Sequence, residues 1–119
     1  MRVIQSRLFA QRVRRLPAQE KAVLDAEIGK IIADPAIGQE KRGTLKDVRV
    51  HKFKIHSTLY LLAYHFTDPA TLALIMIGPH ENYYRDLDSH LRKQDRWQPF
   101  PAVRKDLFTG RHKFHAALT

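Results

Sequence analysis

Two groups of side chains in this sequence have the types and spacing that chemistry requires. The first is Lys52 and Lys54, in the run Val48-Arg49-Val50-His51-Lys52-Phe53-Lys54-Ile55. Apolar and basic positions mix there with a two-residue period. On a strand, Lys52 and Lys54 therefore share one face, and Arg49 and His51 share the other. Two ammonium groups on a rigid strand suit holding a phosphate and balancing the charge that builds on it during transfer. An edge strand guarded by lysines would show the same pattern. The second group is Gly78-Pro79-His80-Glu81-Asn82-Tyr83-Tyr84-Arg85-Asp86-Leu87. A histidine at a strand-to-helix turn can exchange protons near neutral pH. Tyr84, at i+4 from His80, can face the same way on a helix, and a helix N-terminus attracts phosphate. The structural alternative is a His closing a turn over a packed Tyr, with Glu81 and Asn82 as ordinary caps.

Other chemistries find no support. With no cysteine among 119 residues, disulfides, thiolate metal sites and cysteine nucleophiles are excluded. The seven histidines do not make a metal site. His112 and His115 lack acidic neighbours, and His51, His56 and His65 lack the tight spacing of zinc ligands. There is no Gly-rich phosphate loop and no Gly-x-Ser-x-Gly elbow. No apolar run approaches the ~20 residues of a membrane span, and no secretory signal opens the chain. A cytoplasmic protein without a membrane partner is the expectation.

The elements that must position these groups follow from the pattern. Ser6 is an N-cap for a helix over 7–15, with Phe9, Val13 and Leu16 on one face. Pro17 opens a second helix running to about Ala33, with Leu24, Ile28, Ile31 and Ile32 as its apolar stripe and Glu20 in its first turn. Asp34-Pro35 stops it. Residues 48–55, 59–66 and 72–77 read as three strands of a meander, the last two covered on both faces. A short strand over 2–5 and a closing helix over 81–93 complete the expected α+β domain: an N-terminal αα-hairpin packed on a small antiparallel sheet, with a C-terminal helix. Arg96 to Pro101 reads as a poor helix and a poor strand. Residues 1–93 are expected to form the domain, and 94–119 a basic extension that folds back, grips a polyanion or is partly disordered.

Charge sharpens the picture. The formal net charge is +9, which predicts polyanionic company. It comes in three blocks: five arginines and no acid in residues 1–16, six bases against Asp47 in residues 41–56, and seven bases against two acids in residues 92–119. Only the middle block combines charge with a strand of the folded core.

Over residues 3–93 the sequence resembles the RelE/ParE superfamily of bacterial toxin–antitoxin toxins. The resemblance lies in the element order, the stretch from Gly43 to Ile55, the strand Leu59-Tyr60-Leu61-Leu62-Ala63-Tyr64, and the His80-Glu81-Asn82-Tyr83-Tyr84-Arg85-Asp86-Leu87 block. It implies a microbial RNase-like fold and an acidic antitoxin partner. For RelE-like members it implies cleavage of mRNA on the ribosome by the substrate's own 2′-hydroxyl, with neither metal nor other cofactor. Carried onto this chain, the catalytic set is His80, Tyr84, Lys52, Lys54 and Arg85. Lys46, Arg49, His51 and His56 are added as phosphate-binding candidates. The sequence departs from the pattern in one place. RelE-like sites carry an arginine after the second-strand tyrosine, and here Tyr60 is followed by Leu61. ParE-like members poison DNA gyrase without cutting RNA, and that is the alternative function.

Overall fold

The computed structural model describes residues 1–41, 47–91 and 97–99. The chain runs β1 (Arg2–Ser6), α1 (Arg7–Arg14), α2 (Ala18–Ala33), β2 (Gln39–Glu40), β3 (Arg49–Ile55), β4 (Thr58–Asp68), β5 (Thr71–Pro79), α3 (Tyr83–Leu91) and β6 (Trp97–Pro99). Among the described residues these strands make one sheet, ordered β2-β3-β4-β5-β1-β6. The expected αα-hairpin, meander and closing helix are all present. The N-terminal strand is real and lies parallel to β5, with Arg2 opposite Thr71 and Gln5 opposite Leu74.

Each face of the sheet buries its own apolar cluster. Phe9, Leu24, Ile28 and Ile31 of the helix pair pack on Phe53, Ile55, Leu62, Tyr64, Leu72 and Ile77. Tyr83 and Leu87 of α3 pack on Val50, Leu61, Ala63, Ile75 and Met76. Successive residues of β4 therefore alternate between two cores, which explains the unbroken apolar run. A bulge sets the phase of β5. Ala63 pairs with Met76 but Tyr64 pairs with Leu74, leaving Ile75 as an extra residue. Leu72, Leu74 and then Ile77, rather than Met76, consequently face the helix pair.

The open edge of β5 explains the position of α1. β1 ends at Ser6, so among the described residues the far half of β5 has no strand on the side away from β4. Side chains from the start and middle of α1 take over its carbonyls. Buried Ser6 caps the helix by accepting from the Phe9 N–H at 3.0 Å and donates its own hydroxyl to the Ile75 carbonyl at 2.6 Å. Arg12 donates to the Ile77 carbonyl at 2.9 Å. One residue thus ends a strand, starts a helix and pairs a buried carbonyl.

Two short strands were not legible as such. β2 pairs with β3 through Gln39 and Glu40 only. β6, in the segment read as a poor strand, pairs antiparallel with β1, Pro99 lying opposite Ile4. Both gain their hydrogen bonds from a neighbouring edge rather than from local propensity. The rest of the extension over 94–119 lies outside the described residues.

Candidate functional site

On β3 the alternation works as its sequence suggests. Lys52 and Lys54 are exposed, while His51, Phe53 and Ile55 are buried. Neither lysine has a partner among the described residues. Both project on the α3 side of the sheet, beyond the area that α3 covers. Across the sheet, Lys52 lies opposite Leu61 and Leu61 opposite Gly78, while Lys54 lies opposite Leu59. The Leu59 carbonyl accepts the His80 N–H at 3.1 Å. His80 is exposed and stands two strand spacings from Lys54, about 10 Å between backbones. The β4 strand thus separates the two lysines from the backbone of His80.

The turn that carries His80 is tightly held. Asn82 adopts a left-handed φ of 59° before α3 begins at Tyr83. His80 therefore precedes the helix, and it does not share a helical face with Tyr84. The Tyr83 N–H returns to the His80 carbonyl at 3.2 Å. Tyr83 itself is buried, and its hydroxyl donates to the Met76 carbonyl at the β5 bulge at 2.6 Å. Burial pushes its phenol pKa far up, so it is a strut and not a proton donor in the working range. At Gly78 a Cβ would lie 2.6 Å from the Arg12 guanidinium, so a larger residue there would displace the end of that side chain.

Tyr84 meets Tyr83 edge-on at 5.6 Å, and the Lys41 ammonium sits 4.7 Å from the centre of its ring. Lys41 was visible in the sequence only as part of a basic block. Its placement depends on β2, which brings the Lys41 N–H to the Val48 carbonyl at 3.0 Å. Arg85 is largely exposed, 3.8 Å from its neighbour Asp86.

The remaining candidates go elsewhere. His51 faces α2 and bonds the Glu27 carboxylate at 2.7 Å, the same carboxylate that Lys30 reaches at 2.9 Å. Burial pushes the Glu27 carboxyl up, but the His51 and Lys30 bonds outweigh it and hold it below its ordinary range. Arg49 donates to the Gly38 carbonyl at 2.8 Å and fastens the loop after α2. Neither is brought to the face of Lys52 and Lys54. His56 is exposed at the β3–β4 hairpin tip, next to Lys54 and at the same end of the sheet as His80, with a left-handed φ of 58°. Lys46 lies outside the described residues. Leu61, where the resemblance calls for an arginine, is fully buried beneath α3. Among the described residues no three His, Asp or Glu groups lie together as metal ligands, and no helix is long and apolar enough to cross a membrane.

A family description reading "ParE-like toxin of type II bacterial toxin-antitoxin system" matches residues 3–88. The chain belongs to that family. This toxin also shares its fold with two solved structures. It is similar to a chain of the intact E. coli RelBE toxin–antitoxin complex, with 21% identity over 66% of this chain and 95% of that one, at a TM-score of 0.54. It is likewise similar to the isolated E. coli RelE toxin, with 20% identity over 73% of this chain and 95% of that one, at a TM-score of 0.52. No curated protein sequence matches it. The toxin's segment from β1 to α3 spans the matched region, and β6 follows it.

Proposed function

We propose that this toxin stops growth by cutting ribosome-bound mRNA, and that an acidic antitoxin silences it by covering the Lys52–Lys54 surface. One observation carries the reading. Two unpaired lysines project from a rigid strand beside a histidine whose backbone is locked to the strand between them. In the reaction the 2′-hydroxyl of the substrate attacks the adjacent phosphorus and the bond to the 5′-oxygen breaks. Lys52 and Lys54 hold the non-bridging oxygens as negative charge accumulates. His80 gives a proton to the departing 5′-oxygen, and the 2′-hydroxyl proton leaves to water. The products are a 2′,3′-cyclic phosphate and a free 5′-hydroxyl. Tyr84, with the Lys41 charge over its ring, and Arg85 complete the proposed set from α3.

Leu61 and the family description support a second reading, a non-enzymatic gyrase inhibitor. An absent arginine at the phosphate withholds a contribution of about 3 kcal/mol for a preorganised donor. Mapping of mRNA 5′ ends after induction separates the two readings. Cuts placed in register with codons, and lost in His80→Ala, support the ribonuclease. Intact messages with accumulating gyrase–DNA breaks overturn it. The antitoxin part is tested by salt: its affinity falls as ionic strength rises if charge dominates the contact.

A further inference from the structure

We infer that the exposed face of α1, with the cleft beside it, is a second RNA-docking surface that grips single-stranded RNA flanking the cut. The inference rests on the ribonuclease reading and adds to it a separate set of residues. Arg7 and Arg14 lie two turns apart on the exposed face of α1, with Arg15 at its end and no acid in its first turn. None of the three side chains has a partner among the described residues. Arg7 opposes the helix dipole at the first turn, so helix stability does not account for it. Arg12, on the same helix, is already committed to the Ile77 carbonyl and, at 3.9 Å, to Asp86. It builds the wall of a cleft rather than offering a free charge.

That cleft has a volume of about 370 Å³ and is lined by Arg15, Leu16, Tyr60, Pro79 and Glu81 among others. Ligand pockets start near this size, roughly 300 Å³, enough for one nucleotide. Tyr60 is half-buried, braced by Phe53 at 6.3 Å, and contributes an aromatic surface for a base. Asp86, also in the lining, is offset by Arg12 at 3.9 Å, and Glu81 repels phosphate but accepts hydrogen bonds from a base amino group or a ribose hydroxyl. This orients the ligand, with phosphate toward Arg15 and base toward Tyr60 and Glu81. The Glu81 carboxylate argues against an acidic peptide as the occupant.

The sheet connects the cleft to the proposed reaction site. Tyr60 pairs with Pro79, and the next residue on each strand's adjoining side is Leu59, paired with Lys54 and bonded to His80. Lys54 and Tyr60 thus flank His80 on opposite faces of one sheet end. A strand crossing that end meets the lysines, then His80, then the cleft and the arginines of α1.

The test uses the full-length toxin and an oligoribonucleotide of about ten nucleotides, within the usual span of single-strand sites. The oligonucleotide carries a 2′-deoxy block at the cut position and a photoreactive 4-thiouridine beside it. Arg7→Ala/Arg14→Ala/Arg15→Ala should weaken binding at least tenfold and lower the salt slope by about 2, the value for three lost phosphate contacts to a single strand. Tyr60→Leu, which keeps apolar volume against Phe53, should abolish the crosslink to the cleft, and Arg15→Ala alone serves as a surface variant without packing cost. Unchanged affinity with crosslinks confined to β3 overturns the inference. So does loss of affinity for an acidic antitoxin without loss for RNA. Absence of cleavage in cells, with α1-dependent binding intact, refutes the ribonuclease reading and leaves the docking surface standing.

Discussion

The two faces of β3 put similar side chains to opposite uses. Toward α2, His51 and Arg49 are consumed by the fold: one bonds Glu27, the other the Gly38 carbonyl. Toward α3, Lys52 and Lys54 stand one residue away and remain free. The difference is the roof. α2 lies over the end of β3 that carries His51, so a polar group there must be paired or it loses its water without compensation. α3 covers Val50, Leu61 and Ala63 but stops short of the lysines. Charge on the roofed face becomes a strut, and charge on the open face stays available to a ligand.

Leu61→Arg gives the harshest test of that distinction. It places a positive charge on the lysine face but under α3, where Leu61 is 0% exposed. The resemblance to RelE-like sites suggests a gain of activity, whereas the packing predicts unfolding, because an unpaired buried charge costs about 3–5 kcal/mol. Thermal melting decides between them. A folded and more active variant would show that α3 lifts away in the working state.

Next in size are paired substitutions across β3. Lys52→Ala or His80→Ala should lower the cleavage rate about 100-fold and leave the melting temperature unchanged. Glu27→Ala should do the reverse, costing about 1–3 kcal/mol by stranding His51, with the activity of the folded fraction intact. Acid is a graded version of the second change. The folded pKa of Glu27 lies below its ordinary value of 4.5, so its contribution is present above that pH and disappears as pH falls through the folded value. Wild-type stability should decline there more steeply than that of Glu27→Gln. Equal slopes would mean that the carboxylate does not carry the link between α2 and β3.

Much of this division was legible in the alternation of residues 49–55, and the capping role of Ser6 was legible in its place before an apolar-periodic run. What alternation cannot say is which face a helix covers. His51 and Lys52 look equally suited to phosphate until α2 brings Glu27 to one of them, 24 residues away in the chain. The same holds for Arg12, whose partner on β5, the Ile77 carbonyl, lies 65 residues on, and for Lys41 above Tyr84. Strands β2 and β6 are too short for a periodic signal, and the β5 bulge shows only in pairing. Contacts between distant segments carried what the local pattern lacked.

Smaller effects probe the edges of the roofed face. The Tyr64 hydroxyl donates to the Pro35 carbonyl at 2.6 Å and accepts the Gly38 N–H at 2.9 Å. Tyr64→Phe leaves both without that partner and should cost about 1–2 kcal/mol without touching cleavage, since the loop it pins lies across the sheet from Lys52. An equal loss of cleavage would couple that loop to the site. Gly38→Ala should be at least as damaging, because a Cβ there would approach the Tyr64 ring to 2.7 Å.

The smallest expected effect lies at the tip of the open face. His56 holds a left-handed φ of 58° at the β3–β4 turn, a conformation that costs an L-residue roughly 1–2 kcal/mol. Glycine relieves that strain but adds freedom to the unfolded chain, an offset of about 0.4–1 kcal/mol. His56→Gly should therefore raise stability by a few tenths to about 1 kcal/mol, read as a higher denaturation midpoint. Its effect on cleavage sharpens the comparison between faces. Unchanged cleavage means that the open face works through its lysines and His80 alone. A tenfold fall, with stability still raised, would place a second imidazole at the phosphate and explain why a strained histidine occupies a position that suits glycine.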